Sequence, residues 1–91
     1  MPSFLLVRHK VKDFSPWRQV YDGHLPERRE AGLTDRYVLR GTDDPSEVIV
    51  HFEAQDSARA HAFAASPVLR ETMMRAGVVD KPDAYFLADG K

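Results

Sequence analysis

Apolar residues in this chain come in short runs separated by turn-forming residues, and two of the runs have no polar side. Phe4-Leu5-Leu6-Val7 and Val48-Ile49-Val50-His51-Phe52 are apolar at odd and even positions alike, so as strands they place apolar groups on both sides of a sheet. With 91 residues the chain has helices enough for one side. The other side then needs cover from outside the chain, and a second copy supplies a matching surface. This pattern predicts a homodimer with a cavity between two facing sheets.

Turn and cap residues divide the rest. Residues 4–11 read as a first strand and 12–14 as the loop that leaves it. Ser15-Pro16 opens a helix, with Ser as N-cap and Pro at the first helical position, and Ala31-Gly32 closes it with Gly in the left-handed C-cap geometry. The same punctuation recurs at Ser66-Pro67 and Ala76-Gly77. Pro26 removes a backbone hydrogen bond inside the first helical stretch, which predicts a break near His24-Leu25. Residues 33–40 and 47–53 read as strands joined into a hairpin by the turn-rich 41–46 loop. Asp56 can cap a short Ala-rich helix over 57–65, and residues 82–88 supply a last strand. The order β-α-β-β-α-α-β is an α+β, ferredoxin-like arrangement: an antiparallel sheet with helices on one face and the first and third strands in the middle. Those central strands are the two that are apolar on both sides.

Register decides which side chains face the cavity. Pairing Arg40 with Glu47 would put Arg36 opposite His51 and Val38 opposite Ile49 on one face, and Tyr37, Leu39, Val48, Val50 and Phe52 on the other. The second set is the cleaner apolar surface and is assigned to the helices. Arg36, Val38, Ile49, His51 and Glu53 then face the dimer cavity. On the first strand Leu5, Val7, His9 and Val11 are assigned to the helix side, with His9 near the rim; the opposite choice would put His9 in the cavity. Either Tyr85 or Phe86 must face inward on the last strand.

Composition excludes more than it selects. The 13 basic and 14 acidic residues give a net charge of -1 spread along the chain, which offers no field for a polyanion, so nucleic acid is not an expected partner. There is no cysteine, hence no disulfide or thiol chemistry, which fits a reducing compartment. The first apolar run spans four residues before Arg8, too short for a signal-peptide core or a membrane span. A soluble cytoplasmic protein is the expectation.

The residues with chemistry are few. His51 and Glu53 stand two apart on one strand face, where a carboxylate could orient an imidazole; a metal would need a third ligand that no spacing supplies, so no metal is expected. His51 as general base, with Arg36 opposite to stabilise an enolate or carboxylate and His9 as the alternative base, is the catalytic reading. Arg8, Ile49, Glu53 and Tyr85 are the candidates to bind substrate. Equally consistent is packing of His51 at the dimer interface and pairing of Glu53 with an arginine. Trp17, Val20, Tyr21, His24 and Arg28 form one helical stripe: the first three read as core, and His24 as a donor to a carbonyl freed by Pro26. Met73 and Met74 read as core filler.

Val7-Arg8-His9-Lys10-Val11 leading to Phe14 and Trp17, the Arg28-Arg29-Glu30-Ala31-Gly32-Leu33 helix exit, Tyr37-Val38-Leu39-Arg40, and Ala65-Ser66-Pro67 with Ala76-Gly77-Val78 together resemble the dimeric α/β-barrel superfamily. Within it, the chain is similar to small antibiotic-biosynthesis-monooxygenase-like and cyclase-like proteins. The resemblance covers nearly the whole chain. It implies two ferredoxin-like sheets paired into a dimeric barrel, and a cofactor-free monooxygenase or an isomerase or cyclase acting on an aromatic, polyketide-like or keto-acid substrate. It also admits a non-catalytic binding or stress-associated dimer with a filled cavity, and haem binding through a cavity histidine. Quinone-forming and haem-degrading members of that superfamily use an asparagine, of which this sequence has none, and its single tryptophan, Trp17, stands early in the first helix.

Overall fold

A computed structural model describes residues 3–90. The chain runs β1 (Ser3–Lys10), α1 (Phe14–Gly23), α2 (Leu25–Glu30), β2 (Leu33–Arg40), β3 (Glu47–Ala54), α3 (Ser57–Ala64), α4 (Pro67–Arg75) and β4 (Asp83–Ala88). Its four strands form one antiparallel sheet in the order β2-β3-β1-β4, so β1 and β3 are central, as their two-sided apolar pattern predicts. The fold is α+β and ferredoxin-like.

Alternation along β3 sorts the sheet into two sides. Val48, Val50, Phe52 and Ala54 are buried, and the residues between them are only half-buried. The buried set joins Leu5 and Val11 of the β1 region, Leu33 of β2, Trp17 of α1, Ala60 of α3 and Ala76 after α4 in one core between sheet and helices. Fully burying a Leu or Val side chain is worth about 1.5–3 kcal/mol, so this side carries most of the fold's apolar stabilisation.

Helix ends follow the predicted punctuation with one exception. Gly32 and Gly77 have φ of 79° and 87°, the left-handed geometry in which a Cβ would be strained. Asp56 accepts from the backbone N–H groups of Ala58 (2.9 Å) and Arg59 (3.4 Å) and caps α3. The first helical stretch breaks at His24, with Pro26 in the first turn of α2, where its missing donor costs nothing. The exception is the start of α1: the helix begins at Phe14, not after Ser15, and its N-cap is Asp13, which makes no side-chain cap bond. Pro16 is therefore the third helical residue, still among the four whose N–H groups lack intrahelical partners. Ser66 does precede α4 with Pro67 at its start, but its hydroxyl makes no cap bond.

The predicted hairpin register is corrected by one residue. Arg40 pairs with Val48, Leu39 with Ile49, Val38 with Val50 and Tyr37 with His51. The loop sets this offset: Gly41 N–H donates to the Glu47 carbonyl (2.9 Å) and Glu47 N–H donates to the Asp44 carbonyl (3.0 Å). A Cβ on Gly41 would lie 2.6 Å from that Asp44 oxygen, so only glycine lets the loop close so tightly that residue 41 itself faces Glu47. Val38 therefore faces the helices and packs against the core, while Tyr37 and Leu39 lie on the open side, 60% and 50% exposed, the reverse of the sequence assignment. A bulge between Asp35 and Tyr37 restores the facing of what precedes it. Arg36 stays on the open side, and Asp35 turns back toward Arg28.

Candidate functional site

Two surfaces compete as the place of function, one on each side of the sheet. The open side carries Phe4, Leu6 and Arg8 of β1, Ile49, His51 and Glu53 of β3, Arg36, Tyr37 and Leu39 of β2, and Tyr85 and Leu87 of β4. All the candidates proposed from sequence except His9 gather here. His51 sits between two rings, 5.5 Å from Phe4 and 5.7 Å from Tyr37 with planes only 4° apart. Arg36 pairs with Glu53 at 3.2 Å, and Arg8 is engaged by Glu47 (2.8 Å), Asp83 (3.1 Å) and Asp80 (3.6 Å). The charges are therefore answered by partners within the chain. Between them the side is apolar and wet: Tyr85 and Leu87 are 49% and 44% exposed. Phe86, the neighbour of Tyr85, points to the helices and stacks on His61 at 3.6 Å.

On the helix side lies a cavity the sequence did not foretell. Its outer part, about 490 Å³, opens beneath α4 and beside β4, walled by Val7, Leu69, Met73, Val78 and Ala84, with Arg70, Asp80 and Lys81 at its edge. An inner part of about 70 Å³ adjoins it across Val7, Leu69 and Met73 and reaches His9, Trp17, Tyr21, His24, Arg28 and Thr72. Met73 and Met74 both line the outer part, and Met74, 71% exposed, is not the core filler expected of it.

His9 is the unusual group. It is 3% exposed, on the helix side and not at the rim, and neither ring nitrogen has a hydrogen-bond partner. A buried polar group without a partner carries a desolvation cost of about 1–3 kcal/mol. Burial pushes its pKa down to about 4, with the Arg8 charge adding to the effect and Asp80 opposing it, so the imidazole is neutral at physiological pH. Its ring lies 5.6 Å from Trp17, which stacks at 5.0 Å on Tyr21. The Tyr21 hydroxyl is likewise buried and makes no well-formed hydrogen bond, although the Asp35 carboxylate is near enough to help hold its proton; burial raises its pKa to about 12.

Arg28 closes the inner end. Its guanidinium, on a side chain 4% exposed, meets Asp35 through two bonds, Nε to Oδ1 and Nη2 to Oδ2, both 3.0 Å. Nη1 donates to the Tyr21 carbonyl, and the cation lies 3.8 Å over the Tyr21 ring. His24 does not donate to a freed carbonyl; its Nδ1 faces the Glu27 carboxylate at 3.5 Å. Among the described residues no cluster of three or more metal-ligating side chains is found.

No protein-family model matches the sequence, and no curated protein matches it. Solved structures do. A Bordetella bronchiseptica protein with the provisional name antibiotic biosynthesis monooxygenase superimposes with a TM-score of 0.78 at 11% identity, over 97% of this chain and 96% of that one. SnoaB, a cofactor-independent oxygenase from Streptomyces nogalater, gives 0.75 at 11% identity over 99% and 94%. A similarly named Nitrosomonas europaea protein gives 0.68 at 16% over 98% and 99%. This chain has the antibiotic-biosynthesis-monooxygenase-like fold. At such identities the likeness is one of backbone, and chemistry has to be argued from the side chains present.

Tyr21, Arg28 and Thr72 are the cavity residues that sequence reasoning missed as a site. The signal was the helical stripe Trp17, Val20, Tyr21, His24 and Arg28, read only as a packing face. An arginine in that stripe was the clue, because a guanidinium facing a core needs a carboxylate to meet it.

Proposed function

We propose that this protein is a homodimer that binds a small, largely apolar molecule in the cavity between its helices and its sheet and oxygenates it with dioxygen, without a bound cofactor. The observation that carries this reading is the pair of adjoining cavities under the helices, a largely apolar outer one of about 490 Å³ and an inner one of about 70 Å³ whose lining includes the buried, unpartnered His9. A large apolar pocket with a few convergent polar groups is the usual form of a small-molecule site. The oxygenase assignment leans on the shared fold with SnoaB, itself a cofactor-independent oxygenase.

In such a reaction an activated methylene beside an aromatic ring or carbonyl gives up a proton, and the carbanion passes one electron to dioxygen. The two radicals join as a hydroperoxide, and loss of water leaves a carbonyl: one methylene and one dioxygen become one carbonyl and one water. His9 is the base the cavity offers. Burial makes it weak, so it accepts a proton only as negative charge forms beside it, which restricts the substrate to one whose anion is widely delocalised. The apolar walls keep water from that anion.

The open side of the sheet serves dimerisation in this reading. Tyr37, Leu39, Tyr85 and Leu87 are the exposed apolar groups a second copy covers, with His51 and Arg36 as interface groups and not as base and anion site. Dioxygen consumption by the purified protein with a panel of anthrones, hydroquinones and enolisable aromatic ketones tests the reaction, and uptake above the buffer rate that is lost in His9→Leu is the expected result. Binding of such molecules with no uptake for any of them would establish the second reading, a non-catalytic binding dimer, which the low basicity of His9 favours.

A further inference from the structure

The outer part of the cavity carries charge of one sign to spare. Its walls are mostly apolar, and the polar side chains among them are Ser66, Arg70, Asp80 and Lys81. Asp80, the acid of this set, is committed. One of its carboxylate oxygens accepts the Lys10 backbone N–H at 2.7 Å, and the other faces the Arg8 guanidinium at 3.6 Å. Arg70 and Lys81 are both exposed, and neither has an ion pair or a side-chain hydrogen bond among the described residues. In this they differ from the arginines described above: Arg28 meets Asp35, Arg36 meets Glu53, and Arg8 meets Glu47 and Asp83 besides Asp80. The chain as a whole has a net charge of -1 and does not draw anions from a distance, so two unanswered cations beside an apolar hollow are a local feature.

We propose that the outer cavity takes an amphipathic carboxylate, its apolar body seated beneath α4 and its carboxylate left at the edge beside Arg70 and Lys81. The proposal rests on the reading that the cavity is the ligand site, and adds the charge of the ligand it selects. Arg70 follows the wall residue Leu69 on α4, and Lys81 lies in the connection from α4 to β4, so the two cations reach the opening from different segments. No charge has to be buried. The carboxylate keeps part of its hydration while the body leaves water, which avoids the desolvation cost of an ion pair inside the protein. A head held at the edge also sets the direction of entry: the apolar end goes inward, toward the wall of Val7, Leu69 and Met73 that the outer and inner parts share.

The test titrates the intact, isotope-labelled protein with phenylbutyrate, phenylbutyramide and phenylbutylammonium, which share a body and differ in the charge of the head. Backbone N–H shifts of Val7, Leu69 and Met73 in the NMR spectrum locate the site, and their concentration dependence gives Kd. An exposed ion pair is worth up to about a factor of five, so two cations should make the carboxylate bind about tenfold tighter than the carboxamide in about 20 mM salt, with the ammonium weaker still. The preference should shrink to about threefold or less in about 300 mM salt. Arg70→Gln and Lys81→Gln, both at exposed positions, should each cost the carboxylate about threefold, leave the carboxamide unchanged, and together abolish the preference. Equal binding of carboxylate and carboxamide at the cavity, tightest binding of the ammonium, or a preference that survives the double substitution would overturn the proposal and leave the cavity as a ligand site. No shift at the cavity residues with any probe would overturn both. Carboxylate preference without dioxygen uptake by any substrate would sink the oxygenase reading alone.

Discussion

Replacing Asp35 by alanine isolates the strongest electrostatic commitment in the fold. The substitution leaves the Arg28 guanidinium on a side chain only 4% exposed, still over the Tyr21 ring, with two of its 3.0 Å bonds gone. Breaking a buried pair by removing one partner costs about 3–5 kcal/mol, because a charge is stranded. Asp35 is itself 32% exposed, so water can reach the vacated place, which sets the expectation at the low end, about 3 kcal/mol. With a urea slope of about 2 kcal/mol per molar, the unfolding midpoint should fall by about 1.5 M at a fixed protein concentration. Asp35→Asn, which keeps an acceptor, should lose about half as much. The paired replacement Arg28→Met with Asp35→Leu should lose far less than the two single changes added together, since no charge is left behind. A loss below about 1 kcal/mol for Asp35→Ala would show that water already solvates Arg28, and the account of Asp35 as the partner that keeps this charge in place would go with it.

Three further outcomes can be checked directly. The folded His9 pKa of about 4 lies below its unfolded value of 6.5, so the unfolded chain binds the extra proton; stability from this group is complete above about pH 6.5 and drains away as pH falls toward 4, by up to about 3 kcal/mol. Urea midpoints measured at pH 7 and pH 5 should differ less in His9→Leu than in the wild type. Gly41→Ala drives a Cβ to 2.6 Å from the Asp44 carbonyl and should cost about 2 kcal/mol, whereas Gly23→Ala at the end of α1, with nothing within 4 Å, should be neutral or gain about 0.5 kcal/mol by thermal unfolding. Ile49→Glu puts a charge in the middle of the open side, so sedimentation equilibrium should find a dimer for the wild type and a monomer for the variant; a wild-type monomer would refute the interface.

The order of elements and the central place of β1 and β3 could be read from the chain because they depend on local matters. Pro26 breaks the helix, Gly32 and Gly77 take left-handed caps, and two strands lack a polar side. Register could not be read so, since it turned on a loop closed so tightly that position 41 has no room for a Cβ, which no pattern of apolar residues reveals. That single offset moved Tyr37 and Leu39 to the open side. Counting apolar groups failed there because the open side carries Tyr37, Leu39, Tyr85 and Leu87 and is as greasy as a core. The cavity stayed hidden for another reason: Trp17, Tyr21 and Arg28 have the spacing of a packing helix whether or not space remains beneath them.

The bulge in β2 leaves one residue more than its partner strand can match, and both flanks already point where they should. Asp35 faces Phe52 and Tyr37 faces His51, with Arg36 looped between. Excising Arg36 would knit the flanks into a regular ladder without re-sorting either of them. Position 36 is thus a natural seam for insertion or deletion, where relatives of this chain can differ in length while keeping the acid that meets Arg28 and the outward aromatic in place.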